Sequence, residues 1–147
     1  MMVDLRYLMS FALFLVILAT LEIGLAQAQR DAAMVSGISG PIVKDAQGNL
    51  LSTASTGEII ILSVNVTNNE NVPLPFVILI ESRDEIGVTQ FLEFHIGTLQ
   101  GNRSSEVGIS WKPAEAGNYQ LRTFLISGFD SPEVLTGVQT SDFVITQ

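Results

Sequence analysis

The stretch ISWKPAEAGNYQLRTFLIS, residues 109–127, decides the fold. Val107, Ile109 and Trp111 alternate with small or polar residues, the period of a half-buried strand. Lys112 and Pro113 end that strand, because proline has no N–H to give to a ladder. Residues 115–118 make a turn. Tyr119, Leu121, Thr123 and Leu125 then climb one face of a second strand, with Gln120 and Arg122 on the other. Trp111 and Tyr119 are expected to be core anchors between two sheets, since each is a large ring with one polar handle. The Tyr119 hydroxyl is also placed to pin the turn.

The same alternation extends outward in both directions. Residues 58–67 set Ile60, Leu62, Val64 and Val66 on one face, and Ser63, Asn65 and Thr67 on the other. The β-branched residues suit a pleated surface. Residues 68–71 form a polar connection, and Pro73 and Pro75 place the next strand's start near Leu74 or Phe76. In 76–83, Phe76, Ile78 and Ile80 oppose Val77, Leu79 and Glu81. A turn at 84–87 leads to a strand at 88–96, where Phe91, Glu93 and His95 oppose Leu92, Phe94 and Ile96. A polar turn at 97–103 closes it, and a strand at 104–111 follows.

Nearer the N-terminus, Gly37, Gly40 and Pro41 interrupt a weak strand at 35–45. It is expected at a sheet edge, switching sheets at that break. Residues 45–49 form a turn whose polar spacing does not match an EF-hand loop. A short extended piece spans 50–57. After a loop at 128–137, the last strand, 138–145, loses its period between Thr140 and Phe143, which predicts a bulge or a strand end. Seven main strands at short spacing predict an all-β, immunoglobulin-like, seven-stranded antiparallel β-sandwich over 35–147.

Two segments carry a family resemblance. ILSVNVTNNENVPLPFVILIE, residues 61–81, resembles the second and third strands of secreted immunoglobulin-like domains of the fibronectin III and archaeal CARDB-like group. IGTLQGNRSSEVGISWKPAEAGNYQLRTFLIS, residues 96–127, resembles the later strands of that group. The resemblance covers about 35–145. It implies an archaeal cell-surface protein, concerned with adhesion, scaffolding or display more than with catalysis.

The N-terminus reads as a targeting signal. Arg6 supplies a weak positive region, offset by Asp4, and residues 7–19 are apolar. Ala26, Gln27 and Ala28 match the small-x-small cleavage pattern, so residues 1–28 are expected to be a signal peptide and the mature chain to start at Gln29. The alternative is membrane attachment through residues 7–25, where Glu22 would be costly in lipid. Residues 29–34 form a loose lead-in. The predicted location is extracellular or on the outer face of the cell membrane.

The 147 residues include fifteen acids, seven bases, one histidine and no cysteine. Such an acidic chain repels nucleic acid, and no basic stripe, phosphate loop or zinc spacing is present. Without cysteine there are no disulfides, and the blue-copper ligand set is incomplete. No cofactor or metal site is expected. His95 lacks triad partners, and no nucleophile elbow surrounds Ser104, Ser105 or Ser110. Glu81, Asp84, Glu85 and Glu93 gather around one hairpin and read as a solvated acidic edge, with Asp84 capping its turn.

The outer faces are more informative. If Phe76, Ile78, Ile80, Leu121 and Leu125 point inward, Val77, Leu79, Phe124 and Ile126 point outward, and Phe91 is added to them as a further candidate. An uncovered sheet usually alternates cleanly, so these five residues are a candidate interface for an envelope protein or a second copy. The loop at 128–137 or the N-terminal segment is the alternative cover. Asn65 and Asn102 each begin an Asn-x-Ser/Thr triplet and are candidate glycosylation sites. The function expected is non-catalytic protein association or scaffolding. The alternatives are an anchored accessory subunit of a membrane complex and a carbohydrate-binding or enzyme accessory module.

Overall fold

The computed structural model describes residues 37–147. The predicted signal peptide, its membrane-anchor alternative and the lead-in at 29–34 lie outside the described residues.

Eight strands are formed: β1 (Ile42–Lys44), β2 (Thr53–Ser55), β3 (Ile60–Asn68), β4 (Leu74–Arg83), β5 (Thr89–Leu99), β6 (Arg103–Trp111), β7 (Gly117–Ile126) and β8 (Gln139–Thr146). They build a three-stranded sheet, β1-β3-β6, and a five-stranded sheet, β2-β8-β7-β4-β5. The fold is an all-β, immunoglobulin-like sandwich. Among the described residues there is no helix.

The opening stretch is where the chain crosses between sheets. β6 pairs along its whole length with β3, whereas β7 lies between β4 and β8. Pro113 ends β6, and its carbonyl accepts the Gly57 N–H at 2.8 Å. Trp111 and Tyr119 are both buried, one from each sheet, with rings edge to face at 5.2 Å. The Tyr119 hydroxyl donates to the Glu115 carbonyl at 2.9 Å, pinning the crossover. Burial raises the pKa of that hydroxyl, and the charges of Glu115 and Asp84 push the same way.

The inner faces match their alternation. Ile60, Leu62, Val64 and Val66 meet Ile78, Ile80, Leu121 and Leu125 in one core. Burying such side chains is the main favourable term, at roughly 1.5–3 kcal/mol each.

Several features differ from the sequence expectation. The strand at 35–45 does not switch sheets at Gly40–Pro41, because Ile38 bridges Val66 and β1 also pairs with β3. The switch comes later, at β2, which pairs parallel with β8 and is the extra strand in an otherwise antiparallel plan. The last strand has no bulge: β7 and β8 stay in register from Gly117↔Ile145 to Thr123↔Gln139. Its period looked broken because Ser141 faces inward, where its hydroxyl donates to the Pro41 carbonyl at 2.7 Å. The register shift is instead at Ser82/Arg83, between β4 and β5.

β5 also runs on to Leu99. Gly97 permits this, since a Cβ there would lie 2.7 Å from the Phe76 ring. Asn68, read as part of a polar connection, is the buried last residue of β3. Its amide nitrogen donates to the carbonyls of Val72 at 2.8 Å and Leu99 at 3.0 Å, and its oxygen accepts the Glu70 N–H. That single amide ties together the β3–β4 and β5–β6 connections.

Candidate association surface

On the outer side of the five-stranded sheet, the cross-strand register lines up three rows. Ile96, Val77 and Ile126 form the first, and Phe94, Leu79 and Phe124 the second. Leu92, Glu81 and Arg122 form the third. The rows are apolar except at one end, where polar groups gather.

Exposure across these rows is uneven. Val77 is 2% exposed, and Leu79, Phe124 and Ile126 are half-buried. Leu92 (55%), Phe94 (53%) and Ile96 (60%) are open. The loop after β7 accounts for the gradient. It folds back along β7, with Val134 bridging Ile126 and the Leu135 N–H donating to the Leu125 carbonyl at 2.9 Å. Phe129 of this loop meets Phe94 edge-on at 5.1 Å. β4 separates β7 from β5, so this contact carries the loop across the outer side of β4. The chain thus covers part of its own apolar face, and the open part is displaced onto β5.

The predicted interface residues are therefore only partly on one surface. Val77, Leu79, Phe124 and Ile126 face outward as expected, but Val77 is covered. Phe91 is on the opposite side, half-buried with its ring 5.7 Å from Trp111. On β5 the outward set is Leu92, Phe94 and Ile96, which sequence reasoning did not select. Both faces of that strand begin with a large apolar residue, and alternation does not say which one points in.

The polar end is a knot around Glu81. Its buried carboxylate accepts from Arg83 Nε at 2.8 Å, Arg122 Nη1 at 2.9 Å and the Thr89 hydroxyl. Burial would raise its pKa. The Thr89 and Arg83 hydrogen bonds, with the charges of Arg83 and Arg122, outweigh that and hold it below the ordinary Glu value. Arg122 also lies over the Phe124 ring, 4.9 Å from its centroid.

The four acids considered for catalysis do not converge. Glu81 faces out of the sheet. Glu93, opposite Ile80, faces the other way. Asp84 Oδ1 accepts the N–H groups of Val88 at 2.8 Å and Ile86 at 3.1 Å, so it caps its turn as expected. The Val88 bond is the main cause of its lowered pKa. Glu85 accepts from the Asn118 side chain. A shallow cleft of about 360 Å³ lies between this turn and the β6–β7 crossover, lined in part by Asp84, Glu85 and Glu115. Among the described residues no three metal-ligating side chains converge. His95 is exposed, and its ring has no hydrogen-bond partner among the described residues.

The opposite surface, on the three-stranded sheet, is mainly polar, with Ile42 and Ile61 the apolar side chains of β1 and β3 on it. Glu106 accepts from Lys44 and from the Ser63 hydroxyl, and the Thr67 and Ser104 hydroxyls lie 2.8 Å apart. Those two hydroxyls complete the Asn65 and Asn102 triplets. Asn65 is exposed on β3, and Asn102 is exposed in the β5–β6 turn with a φ of 55°.

No protein-family model and no curated protein matches the chain. Solved structures do resemble it. The C-terminal domain of Wzt aligns with a TM-score of 0.61 at 10% identity, over 76% of this chain and 75% of that one. The CARDB domain of the PF1109 protein from Pyrococcus furiosus, in complex with di-metal ions, aligns with a TM-score of 0.53 at 12% identity, over 77% and 96%. A cycloisomaltooligosaccharide glucanotransferase of Paenibacillus sp. aligns with a TM-score of 0.59 at 15% identity, over 77% of this chain but 14% of that enzyme. At these identities the likeness is one of fold: the chain has the sandwich architecture of CARDB-like domains.

Proposed function

We propose that the chain is an exported, non-catalytic association module that docks against another protein of the cell envelope through the outer side of its five-stranded sheet. The observation that carries this reading is the set of apolar rows running across β5, β4 and β7, open at Leu92, Phe94 and Ile96. The divergence of the four acids, of which Glu81, Asp84 and Glu85 are held in hydrogen bonds, supports the non-catalytic part. Export rests on the apolar run at 7–19 and the Ala26-Gln27-Ala28 pattern. N-terminal sequencing tests it: a mature start at Gln29 is expected, and a chain retained from Met1 favours an anchored accessory subunit.

Leu79→Thr with Phe124→Gln tests the face. Both changes keep residues tolerated in strands and stay out of the core. Association in native envelope, read by crosslinking, is expected to be lost while unfolding remains cooperative. Unchanged association would sink the proposal.

A second reading has one observation in its favour. Phe94 and Phe129 are neighbouring exposed rings, as a carbohydrate-binding surface requires. Their planes stand 88° apart, which leaves one ring face rather than a flat platform for a sugar. Saturable binding of a soluble polysaccharide, lost in Phe94→Ala, would raise this reading above the first.

A further inference from the structure

We propose that β5 pairs antiparallel with β5 of a second copy of this chain, about a two-fold axis at Phe94, joining the two five-stranded sheets into one. The inference rests on the reading of the chain as an association module and adds a second contact to it, self-pairing at the edge of the same sheet.

β5 is eleven residues long and ends its sheet. Among the described residues it pairs with β4 alone, so its other side presents unpaired backbone groups, a template for a further strand. The edge strands β1 and β2 have three residues each, too short to act in this way. β6 is the other long edge, but it presents Ser104, Glu106, Gly108 and Ser110 on its outer side, without an apolar row.

The register follows from parity and charge. If two sandwiches share one sheet, their cores lie on the same side, so inward residues must oppose inward residues. Only registers centred on a residue satisfy this. Centring on Glu93 sets two carboxylates against each other. Centring on Leu92 sets Glu93 against Phe91. Centring on His95 sets the imidazole rings against each other and leaves Glu93 opposite Gly97.

Centring on Phe94 places Glu93 opposite the partner's His95, and His95 opposite the partner's Glu93. On the outer side Phe94 meets itself and Leu92 meets Ile96, twice. Phe94 is also the midpoint of residues 91–97, which lie within the part of β5 that stays in regular register past the bulge at Ser82/Arg83, so every residue of that segment is paired. Glu93 and His95 have no hydrogen-bonded partner of their own among the described residues, and this register supplies one to each. The outer apolar rows then run unbroken across the axis.

The chain has no cysteine, so a single introduced one reports only contacts between copies. Directly opposed residues in an antiparallel pair sit at about 4.5–5.5 Å between Cα atoms, within disulfide range. In the full chain under mild copper oxidation, Phe94→Cys is expected to give a covalent dimer. Leu92→Cys alone should give none, and Leu92→Cys combined with Ile96→Cys should give one. By sedimentation, Glu93→Lys is expected to weaken the dimer at least tenfold, and Glu93→Lys with His95→Glu to restore it. A monomeric wild-type chain, or a Leu92→Cys variant that crosslinks as well as Phe94→Cys, would overturn the register. If self-pairing fails while Leu79→Thr with Phe124→Gln still loses an envelope partner, the association reading stands and only this inference falls. If Phe94→Cys crosslinks but the face variant loses nothing, the reverse holds.

Discussion

On the three-stranded sheet the outward side chains include Ser63, Asn65, Thr67, Ser104, Glu106 and Ser110. On the five-stranded sheet they include Val77, Leu79, Leu92, Phe94, Ile96 and Phe124. The inner sides of both sheets contribute to one apolar core. Hydroxyl and carboxylate groups on the polar face bond to one another or to water, so that face needs no further cover. The apolar face has drawn its own loop across β4 and still leaves β5 open. Strand alternation buries one side of a sheet; what stands on the other side is free to record what the protein meets.

A carboxylate on each face makes the comparison quantitative. Glu81 and Glu106 both accept from a basic group and from a hydroxyl. Glu81 is buried, and Glu106 is exposed. Glu81→Gln is expected to cost about 1.5–3 kcal/mol, because the charged partners lose their acceptor's charge. Glu106→Gln is expected to leave the unfolding midpoint where it was, as for most exposed pairs. Urea denaturation of the two variants checks this, and equal losses would break the contrast.

The pH dependence has the same origin. The folded pKa of Glu81 is below its unfolded value near 4.5. Its contribution to stability is therefore complete above that value and is lost as the pH falls through the lowered one. Glu81→Gln should flatten the acid limb in that window. Asp45 and Asp84 are also lowered by the hydrogen bonds of their turns, so a shallower limb remains.

The strands, their inner sides and the roles of Trp111 and Tyr119 were legible in the sequence, because period-two alternation is strong wherever only one side is apolar. Legibility failed where that condition failed. On β5, Phe91 and Leu92 are both large and apolar, and only the tertiary contact of Phe91 with Trp111 settles which is inside. The polar Ser141 faces inward to bond Pro41, one hundred residues earlier in the chain, a partner no local pattern reveals. The same is true of Phe129, whose loop contains Gly128, Asp130, Ser131 and Pro132 and reads as an ordinary surface connection. The outward direction of Val77, Leu79, Phe124 and Ile126 followed from their two-sided apolar strands, but on β5 the outward set was misplaced by one residue.

Hydroxyls fare differently on the outside of the sandwich and on the inside. On the polar face, those of Ser63, Thr67 and Ser104 all have partners. In the core, the hydroxyls of Ser82 and Thr123 are buried with none. An unmet buried hydroxyl costs about 1–3 kcal/mol, whereas an apolar group of the same shape costs nothing of that kind. Thr123→Val replaces the oxygen with a methyl, keeps β-branching and adds little volume. It is expected to stabilise the chain by about 1 kcal/mol, read as a higher urea midpoint with an unchanged slope.

The smallest effect on the fold belongs to the polar face. Asn65 projects from β3 into solvent, and Asn102 sits at a turn whose backbone is held by the Asn102 N–H bond to the Glu70 carbonyl. A glycan on Asn65, on the outer side of the three-stranded sheet, would extend away from the core and away from the apolar rows. Glycosylation would therefore shield one face while leaving the other free for contact, and a glycan placed on the apolar face would defeat it. Intact mass of the natively expressed chain is expected to exceed the polypeptide mass, and to fall stepwise in Asn65→Gln and Asn102→Gln without loss of association. A mass equal to that of the bare polypeptide would show that the polar face meets solvent through its own side chains alone.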